Sequence, residues 1–258
     1  MSGSLRVALG EYDIGWHDPQ GSVTRAEALI GDAATGGARL VILPEMCATG
    51  FTMDVEFAEP VDGPSARRLA QAAARNNVWV LAGLATTGAP GTAPTCAYNS
   101  ALLFSPTGAL LSMYHKQRLF AYAGEHESYA TGDQSATTII EGIRVSPFIC
   151  YDLRFPELFR EVAADTDLMV IIASWPSSRQ PHWDVLVRAR AIENQCYVVA
   201  VNRIGDGGGL HYAGGSAAYD PWGEPLAPTN ANGVRIVEVD AARVEEIRSR
   251  YPFLADRA

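Results

Sequence analysis

Ile143-Arg-Val-Ser-Pro-Phe-Ile-Cys150, continued by Tyr151-Asp-Leu-Arg-Phe-Pro156, is the stretch on which the fold turns. The apolar, β-branched run Ile143–Cys150 reads as a strand, and Pro156 stands where a helix begins, with helical spacing over Pro156–Ala164. A sharp turn between the two would carry Cys150 to the carboxyl end of a strand and aim backbone N–H groups at the same point. That arrangement suits a thiol nucleophile with an oxyanion site beside it. A strand cysteine also has a purely structural reading as a small core hydrophobe, so its partners must come from elsewhere in the chain.

Working outward, strand-like runs recur at Leu5–Leu9, Leu40–Leu43, Val78–Leu84, Tyr98–Phe104, Leu168–Ala173, Tyr197–Val201 and Val234–Val239. Between them lie helical patterns at Val23–Ala34, Pro64–Arg75 and His182–Gln195, an alternation that predicts an α/β architecture. Hairpin signals at Ser105-Pro-Thr-Gly108 and Asp220-Pro-Trp-Gly223 predict mixed rather than purely parallel sheets. Ala85 to Thr95 and Phe120 to Asp133 read as surface loops, and Gly205 to Gly209 as a connection too short to link domains. With no repeat or low-complexity tract, residues 1–258 read as one domain.

Apolar residues make up 48% of the chain and charged ones 19%, which excludes a disordered protein. The balance 20 − 29 = −9 offers no basic face to nucleic acid or to an anionic membrane, so neither is expected as a partner. The apolar runs are of strand length, far short of the roughly 18 residues a membrane span needs, and the start carries no secretory signal. A cytoplasmic protein is expected. The four cysteines are separated by 49, 54 and 46 residues, which matches no zinc spacing, and a reducing compartment would leave them as free thiols. Gly-x-Ser-x-Gly and phosphate-loop motifs are absent, and Gly205-Asp-Gly-Gly-Gly-Leu210 breaks the dinucleotide pattern at its last position. Neither a metal nor an organic cofactor is expected.

Two further residues could serve the thiol. Leu40-Val-Ile-Leu-Pro-Glu45 ends an apolar strand on a carboxylate, a candidate base that could equally cap or pair at a strand end. Lys116 follows a strand over Ala109–Tyr114, and on its own reads as a solvated surface lysine.

Taken together, Leu43-Pro-Glu45-Met, His115-Lys116-Gln-Arg-Leu-Phe and Ile149-Cys150-Tyr-Asp-Leu-Arg-Phe-Pro-Glu157 resemble, in order and spacing, the Glu, Lys and Cys blocks of the nitrilase superfamily of carbon-nitrogen hydrolases. The resemblance runs from the first strand to Arg188-Ala-Arg-Ala-Ile-Glu-Asn-Gln195 and Asp220-Pro-Trp-Gly. Thr49-Gly-Phe-Thr-Met53, Ala123-Gly-Glu-His-Glu with Tyr129, and Ser174-Trp-Pro-Ser-Ser-Arg179 with His182 and Trp183 are similar to the omega-amidase branch. The chain departs from the usual pattern at Arg118, where a histidine is common, and at Cys47, where a bulky residue is.

The resemblance implies a four-layer α-β-β-α sandwich, a homodimer, and an amidase acting on small omega-amido acids such as 2-oxoglutaramate or 2-oxosuccinamate through a thioester. Cys150 would be the nucleophile, Glu45 the base, Lys116 and the Tyr151 N–H the oxyanion donors, and Glu125 a second carboxylate that places the lysine. Reference values of about 8.5 for Cys and 4.3 for Glu put the thiol-to-carboxylate proton transfer at about 6 kcal/mol in water, so the site is expected to narrow that gap. Arg179 is the first candidate to hold the substrate's carboxylate, near Trp175, with Arg154 and Arg118 in reserve. Helix 183–195 carries apolar residues on several faces, more than one buried stripe needs, and the surplus points to a second subunit. The competing readings are a deaminated-glutathione or N-carbamoyl hydrolase of the same superfamily, a non-catalytic binding protein on the same fold, and a metal hydrolase, which the scattered histidines disfavour.

Overall fold

The computed structural model describes residues 3–88, 96–231 and 233–256. Its first half runs β1 (Ser4–Leu9), α1 (Pro19–Thr35), β2 (Leu40–Ile42), β3 (Glu59–Pro60), α2 (Pro64–Asn76), β4 (Trp79–Thr87), β5 (Ala97–Phe104), β6 (Leu110–His115) and the single turn α3 (Glu125–Ser128). The second half runs β7 (Thr138–Ile140), β8 (Ile143–Ile149), α4 (Pro156–Val162), β9 (Leu168–Ala173), α5 (Gln180–Asn194), β10 (Tyr197–Asn202), β11 (Ile204–Gly207), β12 (Leu210–Ala213), β13 (Ala217–Tyr219), β14 (Thr229–Ala231), β15 (Val234–Asp240) and α6 (Ala241–Arg250).

Two mixed sheets result. The larger has the order β14-β15-β1-β2-β4-β5-β6, with β3 beside β4; the smaller has the order β13-β10-β9-β8-β7. β1, β2 and β4 pair in parallel, as do β8, β9 and β10, while β5, β6 and β15 join antiparallel. The central strands are apolar at consecutive positions because both of their faces are covered. In β9, for example, all of Leu168–Ala173 is buried.

Three apolar layers account for this. Leu5, Val7, Leu40, Ile42, Val145, Ile149, Val170 and Val199 fill the space between the sheets. Val23, Ala26, Ile30, Leu69 and Ala73 seat α1 and α2 on the outer face of the larger sheet. Phe159, Trp183, Val187 and Ala191 seat α4 and α5 on the smaller. The architecture is therefore the expected α-β-β-α sandwich. Each buried aliphatic side chain contributes roughly 1.5–3 kcal/mol, so the layers clamp the strand ends where loops converge.

Local chemistry starts and stops the helices. Asp18 caps α1 by accepting from the Gly21 N–H, with Pro19 at the first position, and Asp240 caps α6 through the Ala242 N–H. Asn77 ends α2 in the left-handed region at φ 52°.

Several expectations need correction. Ala85–Thr87 continue β4 because they pair with Ala97–Asn99, and residues 89–95 of the expected loop lie outside the described set. The Phe120–Asp133 segment holds a 3-10 turn at Ala121–Ala123 and α3. Of the expected connection at Gly205–Gly209, Gly205–Gly207 are paired in β11 and only Gly208 and Gly209 turn the β11–β12 hairpin, and α6 was not anticipated.

Candidate active site

β8 ends at Ile149, and Cys150 opens a 3-10 turn over Cys150–Arg154 with φ 47°. A left-handed backbone at a non-glycine residue is strained and persists only where its surroundings enforce it. Asp152 does much of the enforcing: one carboxylate oxygen accepts from the Ile149 N–H at 2.9 Å and the Tyr114 hydroxyl at 2.8 Å. The other accepts from the Arg118 N–H at 2.8 Å. Tyr114 and Arg118 flank Lys116, so one buried carboxylate joins the cysteine turn to the lysine segment. Burial pushes this carboxyl up to about 6 against those hydrogen bonds and the Lys116 charge.

Glu45 follows β2 on the same edge. Gly83 of β4 makes room for it, since a Cβ there would lie 2.6 Å from the Glu45 Cα and from the Pro44 carbonyl oxygen. Met46, immediately after, is also left-handed at φ 45°. Glu45, Lys116 and Glu125 are wholly buried. Lys116 Nζ donates to Glu45 Oε1 at 2.8 Å and to the two Glu125 oxygens at 3.0 and 2.9 Å. Asn99 Nδ2 donates to Glu45 Oε1 at 2.7 Å and to Glu125 Oε1 at 2.8 Å. The backbone N–H of Ser174 closes on Glu45 Oε2 at 2.9 Å, and that of Phe120 on Glu125 Oε2 at 2.6 Å.

Burial disfavours the Lys116 charge, but Glu125, Glu45 and Cys150 outweigh it and hold the ammonium above its ordinary range. Burial pushes the Cys150 thiol well up; Glu45 reinforces this and Lys116 opposes it. On the thiol's side, desolvation of a thiolate beside Glu45 outweighs the help of Lys116.

Cys150 is partly exposed at the floor of a cavity of about 310 Å³. Tyr151, Arg154, Trp175 and Arg179 line it as well, so the structure brings these together with the cysteine. Arg118 stands apart: its guanidinium lies over the Phe155 ring and 3.9 Å from Glu157, outside the cavity lining. Arg154 stacks on Trp175 at 4.8 Å and meets His182 at 3.1 Å, while Arg179 stacks on Phe120 at 5.2 Å. Neither arginine has a carboxylate partner among the described residues.

Sequence reasoning missed Asn99, Ser174, Asp152 and Tyr212, and the apolar wall of Trp16, Phe51, Met53, Phe120 and Leu210. Asn99 was visible as a polar residue inside an otherwise apolar run, and Asp152 lay within a motif already singled out. Tyr212 and Trp16 come together only through the β11–β12 hairpin and carried no signal of their own. Among the described residues no group of three or more His, Cys, Asp or Glu is placed to hold a metal, and no helix is long and apolar enough to cross a membrane.

The sequence profile described as carbon-nitrogen hydrolase matches residues 6–249. An omega-amidase of Escherichia coli is 32% identical over 98% of this chain and 96% of its own length. A 2-oxoglutaramate amidase of Bacillus subtilis is 31% identical over 97% and 96%. Among solved structures, a CN-hydrolase superfamily protein of Xanthomonas campestris, with an arsenic adduct in its active site, superposes with a TM-score of 0.90 at 37% identity, covering 99% of this chain and 97% of that one. Nit3 of Saccharomyces cerevisiae, a branch 10 member of the nitrilase superfamily, gives 0.86 at 26% identity over 97% and 95%. The chain thus belongs to the carbon-nitrogen hydrolase family, within the nitrilase superfamily, and is a hydrolase of carbon–nitrogen bonds.

Proposed function

We propose that this protein is a cysteine-dependent omega-amidase that hydrolyses short acidic amides, of the kind represented by 2-oxoglutaramate and 2-oxosuccinamate, to the dicarboxylate and ammonia. The observation that carries the reading is one cavity holding Cys150 at its floor and, in its wall, Arg154 and Arg179, which have no acidic partner among the described residues. A protein of net charge −9 does not draw an anion by its overall field, so a local cation must do it. The names of the bacterial relatives above support the same substrate class.

In this mechanism Cys150 Sγ attacks the amide carbon as Glu45 takes the thiol proton. The tetrahedral oxyanion is stabilised by Lys116 and the Tyr151 N–H. Glu45 passes the proton to the departing nitrogen, and ammonia leaves behind a thioester. Water then attacks that thioester with Glu45 as base, which releases the carboxylate and restores the thiol. Glu125 keeps Lys116 charged and in place throughout. Arg179 holds the substrate's carboxylate, with Arg154 beside it.

The test is ammonia release across a panel of omega-amides, N-carbamoyl amino acids, deaminated glutathione and a simple nitrile. Fastest cleavage of the short acidic omega-amides is expected. Faster cleavage of an N-carbamoyl amino acid, with carbon dioxide released beside ammonia, would move the chain to another branch of its superfamily.

We also propose that two copies associate through the outer face of α5. Trp183, Val187 and Ala191 are fully buried against the smaller sheet, while Val185 is 68% and Ile192 50% exposed, with Trp222 at 42% near the same helix. This is the surplus of apolar positions noted in the sequence. Light scattering at micromolar concentration is expected to give about twice the chain mass of 27.7 kDa. A fully active monomer would refute it.

A further inference from the structure

Three of the five buried tyrosines among the described residues donate their hydroxyls within the protein. Tyr12 donates to the Cys47 carbonyl at 2.6 Å, Tyr114 to Asp152 at 2.8 Å and Tyr129 to the Thr52 carbonyl at 2.9 Å. Tyr197 and Tyr212 do not, and of these two it is Tyr212 that stands at the candidate site. It is only 2% exposed, yet it lines the cavity above Cys150, and its hydroxyl makes no hydrogen bond among the described residues. The ring is buried but the hydroxyl is not sealed off, so its partner has to come from the cavity.

The position of the ring is firmly set. Tyr212 sits on β12 opposite Gly205 of β11, and the Arg203 guanidinium lies 4.5 Å from its ring centroid. Arg203 is wholly buried and is itself held by the Ile14 carbonyl at 2.7 Å, the Asp206 carbonyl at 3.1 Å and Asp13 at 3.3 Å. At the hairpin tip, Gly208 has φ 58° and a Cβ there would come within 2.7 Å of the Trp16 ring, so the tip closes against Trp16 only as glycine. The first loop and the hairpin therefore lock together around Arg203, and the phenol is carried to a fixed point in the cavity wall.

We infer that Tyr212 is a specificity-determining residue whose hydroxyl is kept for the substrate, donating to the carboxylate that Arg179 engages as its ion pair. The inference rests on the omega-amide reading of this same cavity. Burial, opposed by Arg203 and reinforced by Glu45 and Cys150, with Arg179 opposing, pushes the phenol up to about 12, so at neutral pH it is a donor. Cys150 and Arg179 line the same cavity as Tyr212, so a bound omega-amide that reacts at the thiol and pairs with Arg179 shares that cavity with the phenol. In the mechanism above the amide oxygen already has Lys116 and the Tyr151 N–H. The remaining acceptors on such a substrate are its carboxylate and, in a 2-oxo acid, the keto oxygen beside it, and a neutral donor adds to an arginine at that end without burying a second cation.

The experiment compares glutaramate with pentanamide, which have the same chain length and differ in the carboxylate, on the wild-type enzyme and on Tyr212→Phe. Phenylalanine keeps the ring under Arg203 and removes only the hydroxyl. The expected result is a rise of about tenfold in KM for glutaramate with kcat within about twofold, the loss of one hydrogen bond to a charged group. The effect on pentanamide should be several-fold smaller. Equal losses on both amides, a fall in kcat with KM unmoved, or no change on either would each overturn the inference. If the wild-type enzyme releases no ammonia from glutaramate, the omega-amide reading itself fails, an outcome visible before any variant is made.

Discussion

At the floor of the cavity Lys116, Glu45, Glu125 and Asn99 bind one another in a closed set of hydrogen bonds with no exposure. At its rim Arg154 and Arg179 lie across aromatic faces, partly exposed and with no carboxylate partner among the described residues. The two regions belong to one pocket and are built for different tasks. Charges with every partner in place cannot reorganise cheaply, which suits a reaction that needs fixed dipoles. Charges parked on rings keep their donors available for an anion that comes and goes. In the proposed mechanism the floor carries the chemistry and the rim the choice of amide.

The sharpest way to break this division is to remove the nucleophile. Cys150→Ala is expected to lower kcat/KM for any accepted amide at least a hundredfold while the melting temperature stays close to wild type, as measured by ammonia release and calorimetry. Exposed Cys96 would confuse labelling, so thiol modification is best followed in a Cys96→Ser background, where Cys150 should react before the buried Cys47 and Cys196. Burial pushes those two thiols up to about 12.

Next in size is a break inside the floor. Glu125→Gln removes one charge from a buried ion pair, and breaking such a pair costs roughly 3–5 kcal/mol. Denaturant titration should show that loss of stability together with a large fall in kcat on charged and neutral amides alike. Arg179→Ala, at the rim, should leave stability near wild type and raise KM for an acidic omega-amide about tenfold, with little change for an uncharged amide of similar length. Equal effects on both would remove Arg179 from recognition.

The smallest expected effect tests the joint between the cysteine turn and the lysine segment. With its carboxyl pushed up to about 6, Asp152 loses its charge as the pH falls through that value, and the acceptor shared by Ile149, Tyr114 and Arg118 weakens. The sign for stability is the opposite: a carboxyl raised above its unfolded value favours the folded state while protonated, and that contribution is lost as pH rises from about 4 to 6. Asp152→Asn should therefore flatten both the acid limb of kcat near pH 6 and the stability slope in that window. An unchanged acid limb would show that another group controls it.

Much of the larger frame was legible in the sequence because buried strands write themselves as apolar runs: Leu168–Ala173 appears with the same ends in sequence and structure. Glu45, Lys116 and Cys150 were legible only as a set, since each alone has an ordinary structural reading. The β11–β12 hairpin was not legible. Its strands are short and half-exposed, its tip is glycine-rich, and its order comes from Trp16 and from the Asp13 and Ile14 that hold Arg203, all distant in sequence. Arg118 misled for a related reason: its side chain turns outward onto Phe155, while its backbone N–H does the work at Asp152.

The closed set at the floor has one more consequence, which concerns salt. Lys116 with Glu45 and Glu125 carries a formal charge of −1 while Cys150 keeps its proton. Handing that proton to Glu45 leaves the sum at −1, because the negative charge only moves from carboxylate to the sulfur at the cavity floor. No charge enters or leaves the low-dielectric region when the nucleophile is armed, and mobile ions, with a screening length of about 8 Å at physiological strength, have little to act on there. The rim arginines face water and feel those ions fully. Ionic strength should therefore separate capture from turnover: added salt weakens the hold on an acidic amide and leaves the rate of the bound complex nearly where it was.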